Sequence, residues 1–267
     1  MTSVRPPAVA GAFYPADATK LDAQVARYLA AAAPRGSVPE GPAPKAVIAP
    51  HAGYIYSGPV AASAYARLAL ARETVSRVVL IGPAHRVPFR GIAASGATAF
   101  ATPFGPVPVD VEAVGRVRAL PQVVLLEEAH RLEHSLEVQL PFLQRVLGDF
   151  TIVPLVVGNA SADEVAEVIE ALWEAPETAV VISSDLSHYH DYETARRLDA
   201  ATSRAIEGLR PDDIGPDQAC GRLPINGLLR VARARGLTAT TVDLRSSGDT
   251  AGTRDEVVGY GAWVFAG

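Results

Sequence analysis

Short apolar runs recur along the chain, and segments with helical periodicity separate them. Runs rich in Val, Ile and Leu predict four buried strands, at 45–49, 77–82, 151–158 and 179–183. Amphipathic segments predict helices at 18–32, 57–71, 161–175, 192–208 and 224–236. The second of these helices is expected to begin with Ser57 as its N-cap and Pro59 in its first turn. Apolar strands that alternate with helices are typical of a mostly parallel sheet covered on both faces.

Four further segments complete this pattern. Apolar runs at 238–247 and 256–266 predict two strands that pair antiparallel at an edge of the sheet. Residues 91–110 predict strand-and-turn material beside the sheet, and the Pro/Gly-rich residues 30–44 predict a loop. Because the chain shows no internal repeat and no long linker, we expect one domain over residues 1–267. The predicted fold is therefore α/β, with a central mostly parallel or mixed sheet flanked by helices.

Composition and charge narrow the function. Apolar residues make up 49% of the chain, the formal net charge is -5, and Cys220 is the only cysteine. An acidic chain argues against nucleic acid as a partner. The first residues contain no apolar h-region, so we expect no secretory signal. No apolar run approaches the roughly 20 residues that span a bilayer, which argues against a membrane protein. With no disulfide available, we expect a cytoplasmic protein.

Three of the six histidines follow predicted strands. "VIAPHAGY" contains His51, "VLIGPAHR" contains His85 and "VVISSDLSHYH" contains His188. One such histidine would ordinarily be a hydrogen-bonded turn residue. Because ligands bind beyond the carboxyl ends of strands in open α/β sheets, three of them together favour a shared site. Neutral imidazole is a common ligand of transition metals, so the sequence predicts a metal there.

A second group of candidates lies in "EEAHRLEHSLEVQLPFL", residues 127–143. On a helix, His134 and Glu137 are three residues apart and share a face. They would then supply acid/base chemistry or orient another pocket residue. Glu133 and His130 are further candidates in this segment. A solvated helix start near Ser135 is the alternative, and the sequence leaves both open.

The stretch "SSDLSH" contains Ser184, Asp185 and His188. Asp185 either orients His188 or caps the following turn. These letters also allow a Ser-His-Asp triad, but the chain has no G-x-S-x-G elbow, which weakens the case for a hydrolase. His190 is either a chelating partner of His188 or an exposed turn residue.

Cys220 stands just before the helix expected to start at Pro224. A thiol near a helix N-terminus, with Arg222 close by, is expected to have a lowered pKa. The alternative is an inert, buried cysteine. If Cys220 reached His51 and His85, two imidazoles and one thiolate would suit copper or iron, with zinc as a further candidate.

Several motifs resemble those of the Memo family and occur in the same order. They are "APHAGYIYSGPVAASAY", "GPAHRVP", "TPFGPVPVD", "EEAHRLEHSLEVQLPFL", "VPLVVG", "SSDLSH" and "CGRLPI". The resemblance covers residues 8–266 and implies a fold like that of class III extradiol dioxygenases. Those enzymes hold iron(II) with two histidines and a glutamate.

The resemblance also implies roles for individual residues. His51 and His85 correspond to the two histidine ligands, and Cys220 stands in place of the glutamate. His188 corresponds to the other pocket histidine, which serves acid/base chemistry or substrate contact. Further pocket positions match Asp185, His134 and Glu137. A thiolate ligand is itself oxidisable, so dioxygenase activity does not follow from the resemblance alone.

Three functions are compatible with these residues. The first is a metal-dependent redox enzyme or oxygenase-like protein, with a small substrate stacked near Tyr54 or Tyr56. The second is a non-catalytic module that holds a peptide or partner protein in the same pocket. The third is a thiol or serine hydrolase that uses Cys220 or Ser184 with His188. The resemblance also implies association with a radical-SAM protein.

Overall fold

A computed structural model describes residues 3–32, 41–173 and 176–267. Its strands are β1 (Val4–Arg5), β2 (Ala46–Ala49), β3 (Arg77–Pro83), β4 (Ile92–Ala94), β5 (Ala99–Thr102), β6 (Gly105–Pro108), β7 (Val123–Leu125), β8 (Thr151–Val157), β9 (Thr178–Ser183), β10 (His188–His190), β11 (Thr238–Ser246) and β12 (Val257–Ala266). Its α-helices are α1 (Ala18–Ala32), α2 (Tyr54–Leu68), α3 (Val111–Val117), α4 (Glu127–Arg131), α5 (Leu140–Val146), α6 (Ala162–Ala171), α7 (Tyr192–Glu207), α8 (Arg222–Ala234) and α9 (Ser247–Thr250).

One large sheet organises the described residues. Its strand order is β10-β12-β2-β9-β3-β8-β4-β7, and β11 pairs with β12. The central strands β2, β9, β3 and β8 run parallel, whereas β12 and β4 are antiparallel to their neighbours β2 and β8. The predicted antiparallel pairing of the last two strands is confirmed. Of these two, β12 lies inside the sheet because it also pairs with β2, whereas β11 pairs with β12 alone.

Helices flank this sheet. Helix α2 packs against β2 and β12 and also contacts α1 and α5. Helix α8 packs against β3, β9 and α6, while α7 packs against β11 and β12. Every residue of β2 and β9 is buried, as the continuous apolar runs predict. The predicted α/β fold with a mixed sheet flanked by helices is confirmed, and one domain stays a prediction.

The segment 91–110 divides between two sheets. Strand β4 joins the large sheet beside β8, whereas β5 and β6 form a small three-stranded sheet with β1. The predicted strand-and-turn character is therefore confirmed, but β4 belongs to the main sheet. Of the predicted loop at 30–44, residues 33–40 lie outside the described residues, as do residues 174–175 at the end of the predicted helix 161–175.

Two predicted helix starts were wrong. Helix α2 begins at Tyr54 with Gly53 as its N-cap, so Ser57 lies inside the helix, where its hydroxyl donates to the Ala52 carbonyl (2.7 Å). Helix α8 begins at Arg222 rather than at Pro224. In both cases a glycine occupies the N-cap position, and it supplies no side-chain cap that the sequence would reveal.

The segment 127–143 is not one helix. It contains α4, a turn, a 3-10 turn at Glu137–Gln139, and then α5. His134 lies in the turn, so the shared helical face expected for His134 and Glu137 does not form. Buried contacts of Ser135 and Glu137 hold this irregular path, and the solvated helix start is wrong as well.

No helix in the described ranges is long and apolar enough to cross a membrane.

Candidate metal centre at the strand ends

The site lies at the carboxyl ends of three neighbouring parallel strands. In sheet order these are β2, β9 and β3. The residue two positions beyond the end of each strand is polar: His51 after β2, Asp185 after β9, and His85 after β3. Because β9 enters the sheet between β2 and β3, residues far apart in sequence meet at one edge. This crevice is where open α/β sheets bind ligands.

One ring nitrogen of each strand-end histidine is already engaged. His51 Nδ1 lies 2.8 Å from Ser183 Oγ, and His85 Nδ1 lies 2.9 Å from Glu133 Oε1. These contacts fix the ring orientation and leave Nε2 as the ligand atom, which in His51 lies 3.3 Å from Cys220 Sγ. Metal-binding histidines are ordinarily held in this way by a hydrogen bond on the other nitrogen.

A third histidine joins them from the irregular segment after α4. The ring of His134 stacks on that of His85, with centroids 4.7 Å apart, and meets the ring of His51 edge-on at 5.4 Å. Among the described residues, these three form the group whose ligand atoms all lie within 4.8 Å of one another. Cys220 is not part of that group.

Glu133 organises this corner of the site. Its buried carboxylate accepts hydrogen bonds from the backbone amides of His85 (2.6 Å), His134 (2.9 Å) and Ser135 (2.9 Å), besides its contact with the His85 ring. Burial alone would raise the pKa of this carboxyl. The hydrogen bonds and charge of His85, with the Ser135 amide, outweigh burial and lower the pKa of Glu133 to about 2.

Cys220 approaches the site from the N-terminus of α8. Its Sγ lies 3.3 Å from His51 Nε2, and the backbone amide of Asp185 donates to the same sulfur (3.3 Å). The following Gly221 permits this approach, because a Cβ there would lie 2.6 Å from the Cβ of Ser184. The expected lowering of the thiol pKa was wrong. Burial, followed by the charge of Asp185, raises the pKa of Cys220 to about 12.

Asp185 and His188 occupy different positions from those of a catalytic pair. Asp185 Oδ1 accepts from the backbone amide of His51 (2.7 Å), and burial raises the pKa of the Asp185 carboxyl. His188 is the first residue of the short strand β10, and its Nδ1 lies 2.8 Å from the carbonyl oxygen of Leu186. The Ser184 hydroxyl donates to the Asp185 carbonyl (2.7 Å) and accepts from the Gly221 amide (2.9 Å). These contacts do not form a Ser-His-Asp relay.

The tyrosines predicted to touch substrate have different surroundings. Tyr54 is buried in the core, where its ring lies 5.0 Å from that of Phe142 and its hydroxyl donates to the Val138 carbonyl (2.7 Å). Tyr56, on the same first turn of α2, is exposed. Of the two, Tyr56 is the one that a ligand can reach.

Glu137 is engaged with the N-terminal segment. Its buried carboxylate pairs with Arg5 (2.7 Å) and accepts from Tyr14 Oη (2.6 Å) and from the amides of Ala8 (2.7 Å) and Val9 (2.9 Å). The contacts of Glu137 therefore hold the N-terminal segment in place. These contacts favour a structural position over proton transfer.

Two cavities open at the site, and Cys220 lines both. One of about 410 Å³ is bordered by His85, Phe89 and Leu223. The other, of about 440 Å³, is bordered by His188 and His190. Cys220 therefore stands between a cavity on the His85 side and a cavity on the His188 side.

The donor set fits a transition metal. Burial, followed by the neighbouring histidines, lowers the pKa of His51 well below its ordinary value, and burial lowers that of His134 to about 4. Both rings are therefore neutral near pH 7, as metal ligands must be. The Nδ1 atom of His134 is buried, lies 3.3 Å from Glu133 Oε1, and forms no hydrogen bond within the described ranges. A cation would compensate this cluster of lone pairs.

Some site residues are not evident from the sequence pattern. Ser183 anchors His51 yet reads as the last residue of a strand, and Tyr260 lies buried in β12 near Asp185 and Tyr56. Glu133 was a further candidate from the sequence, because it stands beside His134, but the pattern did not show that it would anchor His85.

Comparison with known proteins identifies the family of this chain. A family model described as "Memo-like protein" matches residues 5–264. A "MEMO1 family protein" of Archaeoglobus fulgidus is 38% identical over 98% of this chain and 99% of its own length. One from Aquifex aeolicus is 36% identical over 98% and 99%, and one from Thermotoga maritima is 37% identical over 96% and 97%. The chain therefore belongs to the Memo family.

Proposed function

We propose that this protein binds a redox-active transition metal, iron or copper, at the strand-end site and acts there as an oxidoreductase on a small molecule. The anchored imidazoles of His51 and His85 carry this proposal, since a hydrogen bond on Nδ1 of each ring leaves Nε2 as the ligand atom. The extradiol-dioxygenase-like fold of the Memo family supports it. Zinc is the remaining candidate, because the same ligand types bind it.

Cys220 is the proposed third ligand. Its Sγ lies 3.3 Å from His51 Nε2, close to the separation of about 3.5 Å between a sulfur and a nitrogen on one tetrahedral ion. Metal binding requires that the thiol give up its proton, which its raised pKa otherwise opposes. His134 is the competing ligand, because its nitrogen meets those of His51 and His85 within 4.8 Å.

The surrounding residues have separable proposed roles. When bound, iron or copper would supply electron transfer and an open coordination position for substrate. His188 would exchange a proton with substrate through Nε2, since its Nδ1 is engaged by the Leu186 carbonyl. Asp185 holds the backbone of His51 in place, and Tyr56 provides an exposed aromatic wall.

Metal analysis of tag-free protein purified without chelators tests this function. We expect bound iron or copper near one ion per chain, and strong loss of metal in the H51A and H85A variants. The matched control is H190A, because His190 lines the neighbouring cavity outside the proposed ligand set. Absence of bound metal from the parent protein after incubation with iron(II) and copper would sink the proposal.

The third ligand is identified by spectroscopy of the copper(II)- or cobalt(II)-loaded protein. A thiolate ligand gives a sulfur-to-metal charge-transfer band, which the Cys220→Ser variant should lose and the His134→Ala variant should keep. If both variants keep the parent's spectrum, Cys220 is not a ligand.

A non-catalytic binding module is the second candidate. The two cavities that meet at Cys220 have room for a small molecule or a peptide side chain, which favours it. This candidate requires that a ligand bind equally well after the metal is removed. A radical-SAM protein as partner is a proposal that rests on family resemblance. A cytoplasmic location is a proposal that rests on the single cysteine, which excludes a disulfide within the chain.

A further inference from the structure

The cavity on the His85 side has one fixed charge. Its lining is mostly apolar, and Phe89, Leu223 and Pro224 form its main hydrophobic surfaces. Arg86 is its only charged lining residue among those described, and no carboxylate borders it. Pockets of this kind, mostly apolar with few polar groups, are typical of small-molecule sites.

The Arg86 guanidinium has no partner in the described part of the chain, where it forms neither a hydrogen bond nor an ion pair. Other arginines are engaged: Arg77 pairs with Asp110 at 2.7 Å, and Arg131 pairs with Glu128 at 2.7 Å. Arg86 also lies near enough to His134 to act on its charge state. An unpaired guanidinium beside an apolar cavity is suited to the planar, two-oxygen face of a carboxylate.

The hydrophobic side of the cavity is constructed by close packing. A Cβ on Gly158 would lie 2.4 Å from the Phe89 carbonyl oxygen and 3.0 Å from its ring, so only glycine allows Phe89 its present position. Asn159 adds a neutral polar residue to the lining. The cavity continues to His85 and Cys220, which belong to the proposed metal site.

We propose that this cavity binds a small organic carboxylate, whose anionic end is held by Arg86 and whose apolar body packs against Phe89, Leu223 and Pro224. The cavity on the His188 side does not match this ligand, because Asp217 lines it and would repel an anion. The inference deepens the proposed function by naming its substrate class. It rests on that function only for the idea that the bound molecule reacts, since the binding itself needs no metal.

The test compares phenylacetate with phenylacetamide, a neutral molecule of the same shape. Binding is measured by NMR titration of the tag-free full chain, both stripped of metal and loaded with metal. We expect phenylacetate to bind the stripped protein, to bind more weakly as salt rises, and to outcompete phenylacetamide. The R86A variant should lose about tenfold or more in affinity, because a charge-assisted hydrogen bond is lost.

Matched variants separate specific binding from general charge. R90A removes an arginine that is exposed, as Arg86 is, and that lies on the same loop but outside the cavity lining, so this variant should bind phenylacetate as the parent does. R86K keeps the charge but not the planar fork, and should lose less affinity than R86A. Equal binding of acid and amide, equal losses in R86A and R90A, or no binding of phenylacetate at millimolar concentration would each overturn the proposal.

The two proposals fail in different ways. A protein that takes up no metal but binds phenylacetate through Arg86 contradicts the redox function alone. A protein that takes up metal, and binds phenylacetate only when loaded and regardless of Arg86, contradicts the carboxylate site alone.

Discussion

Single hydrogen bonds decide which ring nitrogens of the site are free. Ser183 engages His51 Nδ1, Glu133 engages His85 Nδ1, and the Leu186 carbonyl engages the Nδ1 of His188. The same choice of nitrogen recurs on three different elements. Each ring therefore presents Nε2 as its ligand atom, and in His51 this nitrogen already contacts Cys220 Sγ.

Replacing Glu133 with glutamine tests this anchoring. The variant keeps the size of the side chain but removes the negative charge beside His85 and one of its acceptor oxygens. We expect metal affinity to fall about 10- to 100-fold, with the fold retained. Competition with a chelator of known affinity measures the change. Glu128→Gln is the control, because Glu128 is an exposed partner of Arg131. Equal affinities of the two variants would contradict the role of Glu133.

At the scale of whole elements, a glycine allows a helix and a strand to pack closely near the site. Helix α7 lies against β12 where Gly259 faces Asp199, and a Cβ on Gly259 would lie 1.9 Å from Asp199 Oδ2. Asp199 is buried there and accepts from the Ser187 amide (3.1 Å). The Asp199 carboxyl group is thus enclosed between α7 and β12, the strand with which β10 pairs.

This enclosure predicts a pH dependence of stability. Burial raises the pKa of Asp199 to about 6 from its ordinary 3.8. The folded protein therefore holds this proton to higher pH than the unfolded chain does. The contribution of Asp199 to the free energy of unfolding is present below about pH 4 and is lost as pH rises through about 6.

Asp199→Asn should remove this dependence. Relative to the parent, the variant is expected to gain about 2–3 kcal/mol between pH 4 and pH 7, because its side chain does not ionise. Urea unfolding across this range measures the difference. The exposed Asp255→Asn variant serves as control. A constant difference between Asp199→Asn and parent at all pH values would count against the enclosure.

Across the whole molecule, the first residues of the chain are fastened to its middle. Arg5 pairs with Glu137 and also donates to the carbonyl oxygens of His130 (2.7 Å) and Glu133 (2.5 Å). These contacts span more than 120 residues of sequence and hold the irregular segment that carries Glu133 and His134. The ring of Phe13 completes the fastening, 4.9 Å from that of His134.

Removing the cation of the Arg5–Glu137 ion pair should lower the free energy of unfolding. Arg5→Met leaves the Glu137 carboxylate buried without its cation, and we expect a loss of about 3–5 kcal/mol in the free energy of unfolding. The double variant Arg5→Met, Glu137→Gln should recover part of this loss, because no buried charge is then left uncompensated. Arg131→Met, at an exposed pair, is the control. If the double variant is no more stable than Arg5→Met, the buried charge is not the cause.

The hydrophobic pattern is enough to predict the main strands and the long helices in their order, whereas the irregular path of 127–143 is not visible in it. Apolar runs mark β2, β3, β8 and β9 because buried strands require continuous hydrophobic residues, and this local property is visible without the fold. The positions of His51 and His85 just beyond strands followed from the same pattern. The shared edge followed from the general geometry of parallel sheets.

Long-range packing, in contrast, sets which side chains meet at that edge. The insertion of β9 between β2 and β3 brings Ser183 to His51, and the break after α4 brings Glu133 to His85. The pKa of Cys220 is raised rather than lowered, because desolvation and Asp185 outweigh its position near a helix start. Strand order, burial and charge at a given atom depend on residues far away in sequence. Local pattern therefore predicts the strands and the ends of strands, whereas long-range packing sets the chemistry of the groups placed there.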